Sequence, residues 1–498
     1  MALKLFNSLS GKLEEFKPLK PPVVKMYNCG PTVYNYAHLG NWRAFIFADL
    51  LRRYLEYSGY EVKQVMNITD VGHMVADADA GEDKMERSAR EAGKTPEEIA
   101  RFFEAEFLRD AEVLNIQPAW QYPRASEHIP EMIAMVEKLL ANGYAYESKG
   151  SVYFDITKFP DYGKLSGNTL NDLQAGKRVE INPDKKNPLD FALWVYNPEH
   201  TMFWQSPWND HGYPGWHLEC SAMADKYLGH SFDIHTGGED NKFPHHECEI
   251  AQSTGANGCA PARFWLHVKH LLVEGEKMSK SEGNFYTLRD LLDKGYEPLA
   301  IRILLAITHY RAQLNFTFKE LDAAQKNLKK IREAWSALTE EAPRCASRSG
   351  SLATLGRRDG GAIIEDNKFK KLLDKFQADF TSALDDDLNV AGAWATTLDL
   401  AKNLARYNLS DEQGAQAREV LLKADHVWGL NLEQGASEEA KDGQGATEIP
   451  AEVQELLDRR ARARADKDWK LSDELRRRVT ELGWQVEDTG EGQRAEKI

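Results

Sequence analysis

Residues 243–252 read FPHHECEIAQ, and five successive positions in this stretch carry side chains that can bind a metal ion or transfer a proton. These positions are His245, His246, Glu247, Cys248 and Glu249. Pro244 suits the first position of a helix, so we predict that a helix begins here. On such a helix His245 shares one face with Glu249 and with Cys248, because residues three and four apart are neighbours. Taken alone, this spacing more often marks a solvated polar helix face with one buried thiol than a metal site.

The motif AHLGN at 37–41 is a candidate phosphate-binding turn. A helix N-terminus attracts phosphate through its unpaired N–H groups and its dipole. Gly40 would let the backbone approach a ligand closely, and His38 could donate a hydrogen bond to a phosphate oxygen. The alternative interpretation is a loop histidine beside Asn41 acting as a helix N-cap.

The motif KMSKS at 277–281 is a second candidate for polyphosphate binding. Lys277 and Lys280 lie three residues apart among small hydroxyl residues and could form a cationic clamp. Lys280 could neutralise the charge that develops on departing pyrophosphate. The alternative is an ordinary exposed loop.

Composition limits the class of protein. The chain has 498 residues, 42% hydrophobic and 28% charged, which is typical of a globular protein of about three or four domains. No apolar run approaches the roughly 20 residues of a membrane span, and we find no signal peptide, so we expect no membrane association. Five cysteines do not indicate a disulfide framework in a chain of this length, so we expect a cytoplasmic protein whose clustered thiols could bind metal. The net charge of −15 argues only weakly against nucleic-acid binding, because local basic stripes can still bind phosphate.

The elements that would position these residues follow the order strand, loop, helix, strand. A short apolar run at 23–30 predicts a buried strand, and the spacing of apolar residues before Gly59 predicts a helix. A second strand is predicted at 61–68. This order indicates an α/β fold with a doubly wound parallel sheet, whose ligand crevice lies beyond the carboxyl ends of its strands. Cys29 would lie in that crevice.

The two motifs, in this order along a doubly wound chain, resemble the signatures of the class I aminoacyl-tRNA synthetases, an H-I-G-H-like motif and K-M-S-K-S. The resemblance implies ATP binding by the two motifs. The residues it assigns to this role are His38, Gly40, Asn41, Lys277 and Lys280. AHLGN departs from H-I-G-H at its last residue, Asn41, an exchange that several members of the family show.

Blocks along nearly the whole chain are similar to the cysteinyl-tRNA synthetase family in particular. They are YNCGPTVYNYAHLGN, NITD, LDFALW, PGWHLECSAM, FPHHE-x-EIAQ, KMSKSEGN and the C-terminal KDW…D…LR…GW…EDT. The sequence departs from the family pattern at TGGEDNK, where a glycine-rich G-G-G-x-D-L is usual, and at NITDVGHM, where NITDIDDK is common.

Four residues of this chain match the zinc ligands of that family, which are two cysteines, a histidine and a glutamate. They are Cys29, Cys220, His245 and Glu249. Zinc binds cysteine and histidine readily, and it binds soft thiolate better than neutral hydroxyl, so it would select cysteine over serine. Pocket shape alone separates such analogues poorly, and no editing domain is expected. Two alternatives stay open: a closed structural zinc, since four protein ligands normally mark one, and Cys248, which replaces a common Asn beside Glu249.

The same resemblance assigns residues to the other subsites. Cys29, Thr69 and Trp216 are expected in the amino-acid pocket, with core packing as the alternative for Trp216. His235 and Asp240 are weaker candidates. The C-terminal tail alternates arginines with tryptophan, which suits unpaired bases, although a solvated helix face is an equal alternative. The residues expected to contact the anticodon are Arg460, Arg464, Trp469 and Asp473.

The expected organisation combines these parts. We predict a Rossmann-like catalytic domain in two halves with an inserted connective domain between them, then a helical anticodon-binding domain and a small mixed C-terminal domain. The corresponding ranges are 1–119 and 211–290 for the catalytic halves, 120–210 for the insert, 291–342 for a helical junction that contacts the tRNA stem, 343–366 for a linker, 367–432 for the helical domain, 433–450 for a second linker and 451–498 for the C-terminal domain.

The function that the resemblance implies is that of a cysteine–tRNA ligase. We expect L-cysteine, ATP with Mg²⁺, and tRNA(Cys) as its substrates and partners, one Zn²⁺ per chain, and a monomer. A cysteine ligase of mycothiol synthesis shares the catalytic half but lacks an anticodon domain, so the segment 365–498 argues against it. A metalloprotease would need H-E-x-x-H, which HHECE does not supply. An inactive paralogue that only binds RNA is disfavoured by the intact motifs.

Overall fold

The computed structural model describes residues 2–72, 83–168, 182–279, 283–339, 362–433, 451–465, 468–482, 484–489 and 492–497. The chain divides into two compact units, Met1–Leu430 and Asn431–Ile498. The predicted linker at 433–450 and most of that at 343–366 lie outside the described residues. None of the helices described has both the length and the apolar character that crossing a membrane requires.

The strands and helices are numbered in chain order. The described strands are β1 (Lys4–Asn7), β2 (Lys12–Glu15), β3 (Val23–Asn28), β4 (Glu61–Met66), β5 (Ala145–Ser148), β6 (Ser151–Phe154), β7 (Phe191–Tyr196), β8 (Gly212–Pro214), β9 (Phe232–Gly238), β10 (Ala262–Val268), β11 (Leu271–Val273), β12 (Glu276–Lys277), β13 (Leu314–Phe316), β14 (Ala362–Ile363), β15 (Tyr407–Asn408), β16 (Trp484–Thr489) and β17 (Gly492–Lys497). The described α-helices are α1 (Leu39–Tyr57), α2 (Lys84–Ala92), α3 (Pro96–Val113), α4 (Ile129–Ala141), α5 (Leu218–Leu228), α6 (His245–Asn257), α7 (Leu288–Leu292), α8 (Pro298–Ile307), α9 (Phe318–Thr339), α10 (Asp366–Asp385), α11 (Val390–Leu404), α12 (Asp411–Trp428), α13 (Ala451–Ala465) and α14 (Trp469–Glu481).

A parallel sheet of order β10-β9-β3-β4 forms the centre of the first unit. In its register, Met26 of β3 pairs with Ile234 of β9 on one side and Gln64 of β4 on the other. The order of strands along the chain reverses between β3 and β9, and ligands bind at such a switch point in doubly wound sheets. The predicted doubly wound α/β fold is therefore confirmed.

Helix α1 leads the chain from β3 back to β4. Its apolar side chains are buried along most of its length, because it packs against the sheet as well as α8 and α12. The helix begins after the N-cap His38 and ends at Ser58, and Gly59 follows with a φ of +91°. Glycine takes this left-handed conformation without strain, which explains why the helix stops where the sequence predicted.

The segment between β4 and β9 contains an antiparallel sheet of order β5-β6-β7-β8. Its side chains Phe154 and Trp194 pack in one continuous core with Tyr27 of β3 and Cys248 of α6. The insert therefore shares a hydrophobic core with the elements at the switch point.

Helix α8 packs onto α1 through a buried ion pair, and the end of α12 joins the same contact. Arg302 of α8 is 1% exposed and donates to the carboxylate of Asp49 on α1, which also accepts from Arg53 at 2.8 Å. Arg302 donates further to the backbone oxygen of Trp428, at the end of α12, at 2.7 Å. Burial alone would raise the pKa of Asp49, but the charges of Arg302 and Arg53 outweigh it and lower the pKa.

The second unit is a small mixed structure. Helices α13 and α14 pack together with the antiparallel hairpin β16–β17. Its core residues are Val453, Leu456, Leu457, Leu475, Val479, Trp484 and Val486. Both helix and strand are thus present, as the predicted fold class requires.

We expect Asp49→Ala to destabilise the first unit by about 3–5 kcal/mol, because Arg302 would stay buried without a counter-charge. Urea unfolding followed by tryptophan fluorescence measures the change. The matched control is Glu91→Ala, because Glu91 pairs with Arg87 on the surface, where the two side chains are 64% and 54% exposed. The control should change stability by less than about 1 kcal/mol. Equal losses in the two variants would contradict the role assigned to the buried pair.

Candidate metal and nucleotide site

A cavity of about 380 Å³ opens at the carboxyl ends of β3 and β4. One part of its wall is formed by Cys29, which directly follows β3, and by Cys220 and His245. Another part is formed by His38 and Asn41 at the start of α1. The two groups of residues that the sequence singled out for chemistry therefore face one space.

The four predicted zinc ligands lie together. The donor atoms of Cys29, Cys220, His245 and Glu249 all fall within 4.8 Å of one another. Cys220 comes from the first turn of α5, and His245 and Glu249 come from the first turns of α6, one helical turn apart. Parallel strands bring the ends of β3 and β9 to one edge, and the helices start at that edge.

Glu249 is the charged centre of this cluster. Its carboxylate lies 2.9 Å from Nε2 of His235 and 3.1 Å from Nε2 of His245, and its side chain is buried. Burial raises the pKa of Glu249, but the charges and hydrogen bonds of His235 and His245 outweigh it and bring the pKa to about 2. Glu249 is therefore an ionised carboxylate at neutral pH.

Burial and neighbouring groups together set the pKa values of the other donors. Burial lowers the pKa of His245, but Cys220 and Glu249 reverse this effect and raise it to about 10. Burial raises the pKa of the Cys29 and Cys220 thiols above their ordinary value. A divalent cation would supply the positive charge that two thiolates need, and two sulfurs, one imidazole and one carboxylate are a donor set that suits zinc. The residues present therefore fit a zinc ion.

A second donor set overlaps the first. Cys29, His235, His246 and Glu249 also place their donor atoms within 4.8 Å of one another. Nε2 of His246 lies 3.1 Å from Sγ of Cys29, and its Nδ1 lies 2.8 Å from Nε2 of His267. Burial lowers the pKa of His246 well below its ordinary value. Cys29 and Glu249 are common to both sets.

This second set is not predicted from the sequence. His235 was only a weak candidate and His246 had no assigned role. The available signal was the pattern of β9, in which Asp233 and His235 interrupt a run that is otherwise apolar or small, although strands buried on both faces are usually apolar throughout.

Cys248 faces away from the donor cluster. Its Sγ lies 3.3 Å from the hydroxyl of Tyr162, and its side chain is fully buried in the core shared with the insert. Glu247 also faces the insert, where its carboxylate accepts from the backbone N–H of Ser166 at 2.9 Å. Among the described residues the two candidate metal sets contain Glu249 and not Cys248.

Thr69 and Trp216 both line the cavity. The hydroxyl of Thr69 donates to Glu219 at 2.9 Å and accepts from the amide of Asn67 at 3.0 Å. The ring of Trp216 lies 4.6 Å from that of His245, measured between centroids. Burial raises the pKa of Glu219 to about 8. Sequence reasoning missed Glu219, because no motif separates a buried glutamate on a short helix from a solvated one.

His38 is both a cavity residue and the cap of α1. Its Nδ1 accepts from the backbone N–H of Asn41 at 3.2 Å, and its own N–H donates to the Asn41 side-chain oxygen at 3.1 Å. The cap is therefore His38, and the alternative prediction that Asn41 is the N-cap is wrong. Because Nδ1 accepts, the neutral imidazole carries its proton on Nε2.

The two signature motifs meet in space. The backbone N–H of Leu39 donates to the backbone oxygen of Tyr286, which follows the KMSKS segment. His38 and Thr287 pair as a single antiparallel β-bridge. Gly40 lies close to Met278, since a Cβ built on this glycine would be 3.7 Å from Cε of Met278. Lys277 is exposed in β12. Lys280 lies outside the described residues.

The predicted anticodon residues fall in the second unit. Arg460 is 1% exposed and belongs to the interior of that unit, so direct contact of Arg460 with RNA is not supported. Arg464 is half-buried near the end of α13. Trp469 and Asp473 lie on α14, and their side chains are outside the described structure. The apolar spacing of α13 was too weak to predict that Arg460 points inward.

Comparisons with known proteins extend over the whole chain. The family model for the "tRNA synthetases class I (C) catalytic domain" matches residues 15–326, the "DALR domain" matches 379–433, and the "Cysteinyl-tRNA ligase anticodon binding domain" matches 446–494. A cysteine–tRNA ligase from Desulfitobacterium hafniense is 42% identical and covers 99% of each chain, as does one from Thermus thermophilus. The structure is also similar to Mycobacterium tuberculosis methionyl-tRNA synthetase in complex with methionyl-adenylate, with a TM-score of 0.56, 15% identity and coverage of 82% of this chain and 90% of that one. The last comparison bears on the fold alone.

We expect Glu249→Ala to lower the zinc content of the purified protein much more than Cys248→Ala does, because only Glu249 belongs to the donor cluster. Zinc is measured by elemental analysis after removal of loosely bound ions. Cys248→Ala is the matched control, since it removes a buried side chain from the neighbouring position of the same helix. A larger loss in the Cys248 variant would overturn the ligand assignment.

Proposed function

Because this chain belongs to the cysteine–tRNA ligase family of class I aminoacyl-tRNA synthetases, we propose that it joins L-cysteine to the 3′ end of tRNA(Cys) in two steps that consume ATP. Full-length similarity carries this proposal, since the catalytic match at 15–326 and the anticodon-binding match at 446–494 occur in one chain. A ligase with a small-molecule acceptor would not need the second match.

Zinc is the proposed resident metal, held by Cys29, Cys220, His245 and Glu249. The donor distances support this set, and three of the four ligands line the open cavity, as a substrate-binding ion requires. When bound, zinc would favour a thiolate over a hydroxyl and so help to separate cysteine from serine. We place His235 behind Glu249, where its Nε2 holds the carboxylate in position.

The amino-acid pocket is proposed to lie between Trp216 and Thr69. The Trp216 ring packs beside His245 and forms an apolar wall. Hydrogen bonds to Asn67 and Glu219 hold the hydroxyl of Thr69 in one orientation toward the cavity. Since its one hydrogen is donated to Glu219, the Thr69 hydroxyl can only accept from the substrate, and we propose that it accepts from the ammonium group and so orients the carboxylate toward the nucleotide end of the cavity.

In the first step the cysteine carboxylate attacks the α-phosphorus of Mg·ATP, and the bond from that phosphorus to the bridging oxygen breaks. Pyrophosphate leaves with the electron pair. The Nε2–H of His38 and the N-terminus of α1 hold phosphate oxygens, and Lys277 and Lys280 neutralise the charge of the leaving group. In the second step a ribose hydroxyl of the terminal adenosine attacks the carbonyl carbon, AMP leaves, and the hydroxyl proton passes to AMP or solvent. Catalysis rests on positioning and electrostatics, so no protein nucleophile is assigned.

The second unit is proposed to contact the anticodon, through Arg464, Trp469 and Asp473 among others. Arginine beside an aromatic ring suits unpaired bases. We further propose that the enzyme acts as a monomer and that it works in the cytoplasm. The second proposal is in keeping with the described cysteines, none of which forms a disulfide.

We expect the purified protein to transfer labelled cysteine to tRNA bearing the cysteine anticodon when ATP is present. Serine is the control amino acid and should give no charged tRNA, because a hydroxyl binds zinc poorly. Acid-precipitable label measures the transfer. Cysteine-dependent pyrophosphate exchange without charging would move the function to another acceptor, and no activation at all would reject the proposal.

Two substitutions of His38 separate its structural role from its chemical one. Asparagine is a good helix N-cap, so His38→Asn should keep the stability of α1, whereas His38→Ala should lower stability by about 1 kcal/mol. Both variants lose the Nε2–H donor, and we expect both to slow cysteine-dependent pyrophosphate exchange by roughly 100-fold. Thermal unfolding and exchange rates are measured on the same preparations. Normal exchange in His38→Asn would show that His38 only caps the helix.

A further inference from the structure

A third part of the cavity wall has no role in the chemistry above. The proposed zinc ligands line one side of the cavity, and His38 and Asn41 line another. The remaining side is aromatic, with Tyr36 in the loop before α1 and Phe103 on α3. The first two sides are assigned to the amino acid and to ATP. The tRNA acceptor end must reach the same cavity, and no part of the wall has yet been assigned to it.

Cations accompany the aromatic rings along this side. Nζ of Lys94 lies 5.2 Å from the ring centroid of Phe102, and the guanidinium carbon of Arg289 lies 4.7 Å from that of Tyr36. Nζ of Lys84, which also lines the cavity, lies 5.8 Å from the ring of Tyr34. Each pair combines a flat apolar surface with a positive charge.

The aromatic surface continues from the cavity to solvent. The ring of Phe103 meets Tyr36 edge-on at 5.1 Å and Phe102 edge-on at 5.1 Å. Phe102 is 42% exposed, although a large apolar side chain gains by burial. Tyr36 and Phe102 also meet edge-on at 6.4 Å, so the three rings form a compact cluster. Tyr36 and Phe103 lie on the cavity wall and Phe102 lies at the solvent side, and we call this cluster the aromatic rim.

The rim is held in a fixed arrangement. Arg289 pairs with Glu106 and Asp110, two buried carboxylates of α3, and so fixes Tyr36 against this helix. Helix α3 begins with a capping box, in which Thr95 accepts from the backbone N–H of Glu98 and Glu98 accepts from that of Thr95. A surface that is already ordered loses little entropy when a ligand stacks on it.

We propose that the aromatic rim, with Lys94, binds the unpaired nucleotides at the 3′ end of tRNA and guides the terminal adenosine into the cavity. This inference rests on the proposed function, since it concerns the route of its RNA substrate. Exposed rings stack on unpaired bases and adjacent cations contact the phosphates, which is how proteins hold single-stranded nucleic acid. Phe102, the exposed ring, takes a base at the mouth of the cavity, and Phe103 and Tyr36 form the wall that the terminal adenosine passes.

The test compares Phe102→Ala with Trp120→Ala. Trp120 is the matched control, because it is 47% exposed and Nζ of Lys63 lies 5.5 Å from its ring. Its ring contacts Tyr227, which does not line the cavity, whereas Phe102 contacts two rings that do. Three quantities are measured for each variant and for the unchanged protein: kcat/KM for tRNA in charging, the rate of cysteine-dependent pyrophosphate exchange, and the Kd for tRNA with and without its last four nucleotides.

For Phe102→Ala we expect kcat/KM for tRNA to fall roughly 5- to 50-fold, the size of the loss of one stacked base. The Kd for intact tRNA should rise, whereas the Kd for trimmed tRNA and the exchange rate should stay within about twofold of the unchanged protein. Trp120→Ala should leave all three quantities unchanged.

Other outcomes overturn the inference. A loss of pyrophosphate exchange in Phe102→Ala would assign the rim to ATP, and equal weakening of intact and trimmed tRNA would place the contact elsewhere on the RNA. No change in any quantity would make Phe102 a surface residue without a role. Failure of the unchanged protein to charge tRNA would instead reject the proposed function. The two failures are distinguishable, because the proposed function is tested on the unchanged protein and the inference on the difference between that protein and Phe102→Ala.

Discussion

The ionised carboxylate of Glu249, buried at the switch point of the parallel sheet, sets the main physical constraint on the structure. An unpaired charge in such a place costs several kcal/mol, so it must be surrounded by hydrogen-bond donors or positive charge. His235 and His245 meet that need directly. They come from the last half of β9 and the first turn of α6, so both elements have to end or begin at the same edge of the sheet. The parallel register of β3 and β9 then brings Cys29 to the same point.

The sequence predicted much of this arrangement for identifiable reasons. The spacing of His245 and Glu249 follows from helical geometry, and Cys29 was placed at the crevice because it follows a buried strand. Cys220 joined the set only through resemblance to a family, since nothing in its local sequence marks it as a ligand. The roles of Glu219 and of the second donor set could not be predicted, because tertiary packing and not the local sequence pattern decides which polar side chains are buried. The same limit explains Arg460, which was assigned to a surface and lies in an interior.

The insert cannot be regarded as a separate attachment to the catalytic sheet. Cys248 and Glu247 belong to the same helix as two proposed zinc ligands, yet they contact Tyr162 and Ser166 of the insert. One face of α6 thus faces the proposed zinc site, and the adjacent face packs against the insert. A change of packing in the insert would therefore displace α6 and, with it, the proposed zinc ligands His245 and Glu249.

The distance along the chain between the donor residues has a consequence for the synthesis of the protein. Cys29 and His246, whose donor atoms lie 3.1 Å apart, are separated by 217 residues. A ribosome that adds about 5–20 residues per second needs roughly 10–40 s to produce one after the other. During that interval the nascent chain carries Cys29 without the groups that later enclose it. The thiol then has the reactivity of an exposed cysteine until α6 has been made and folded against it.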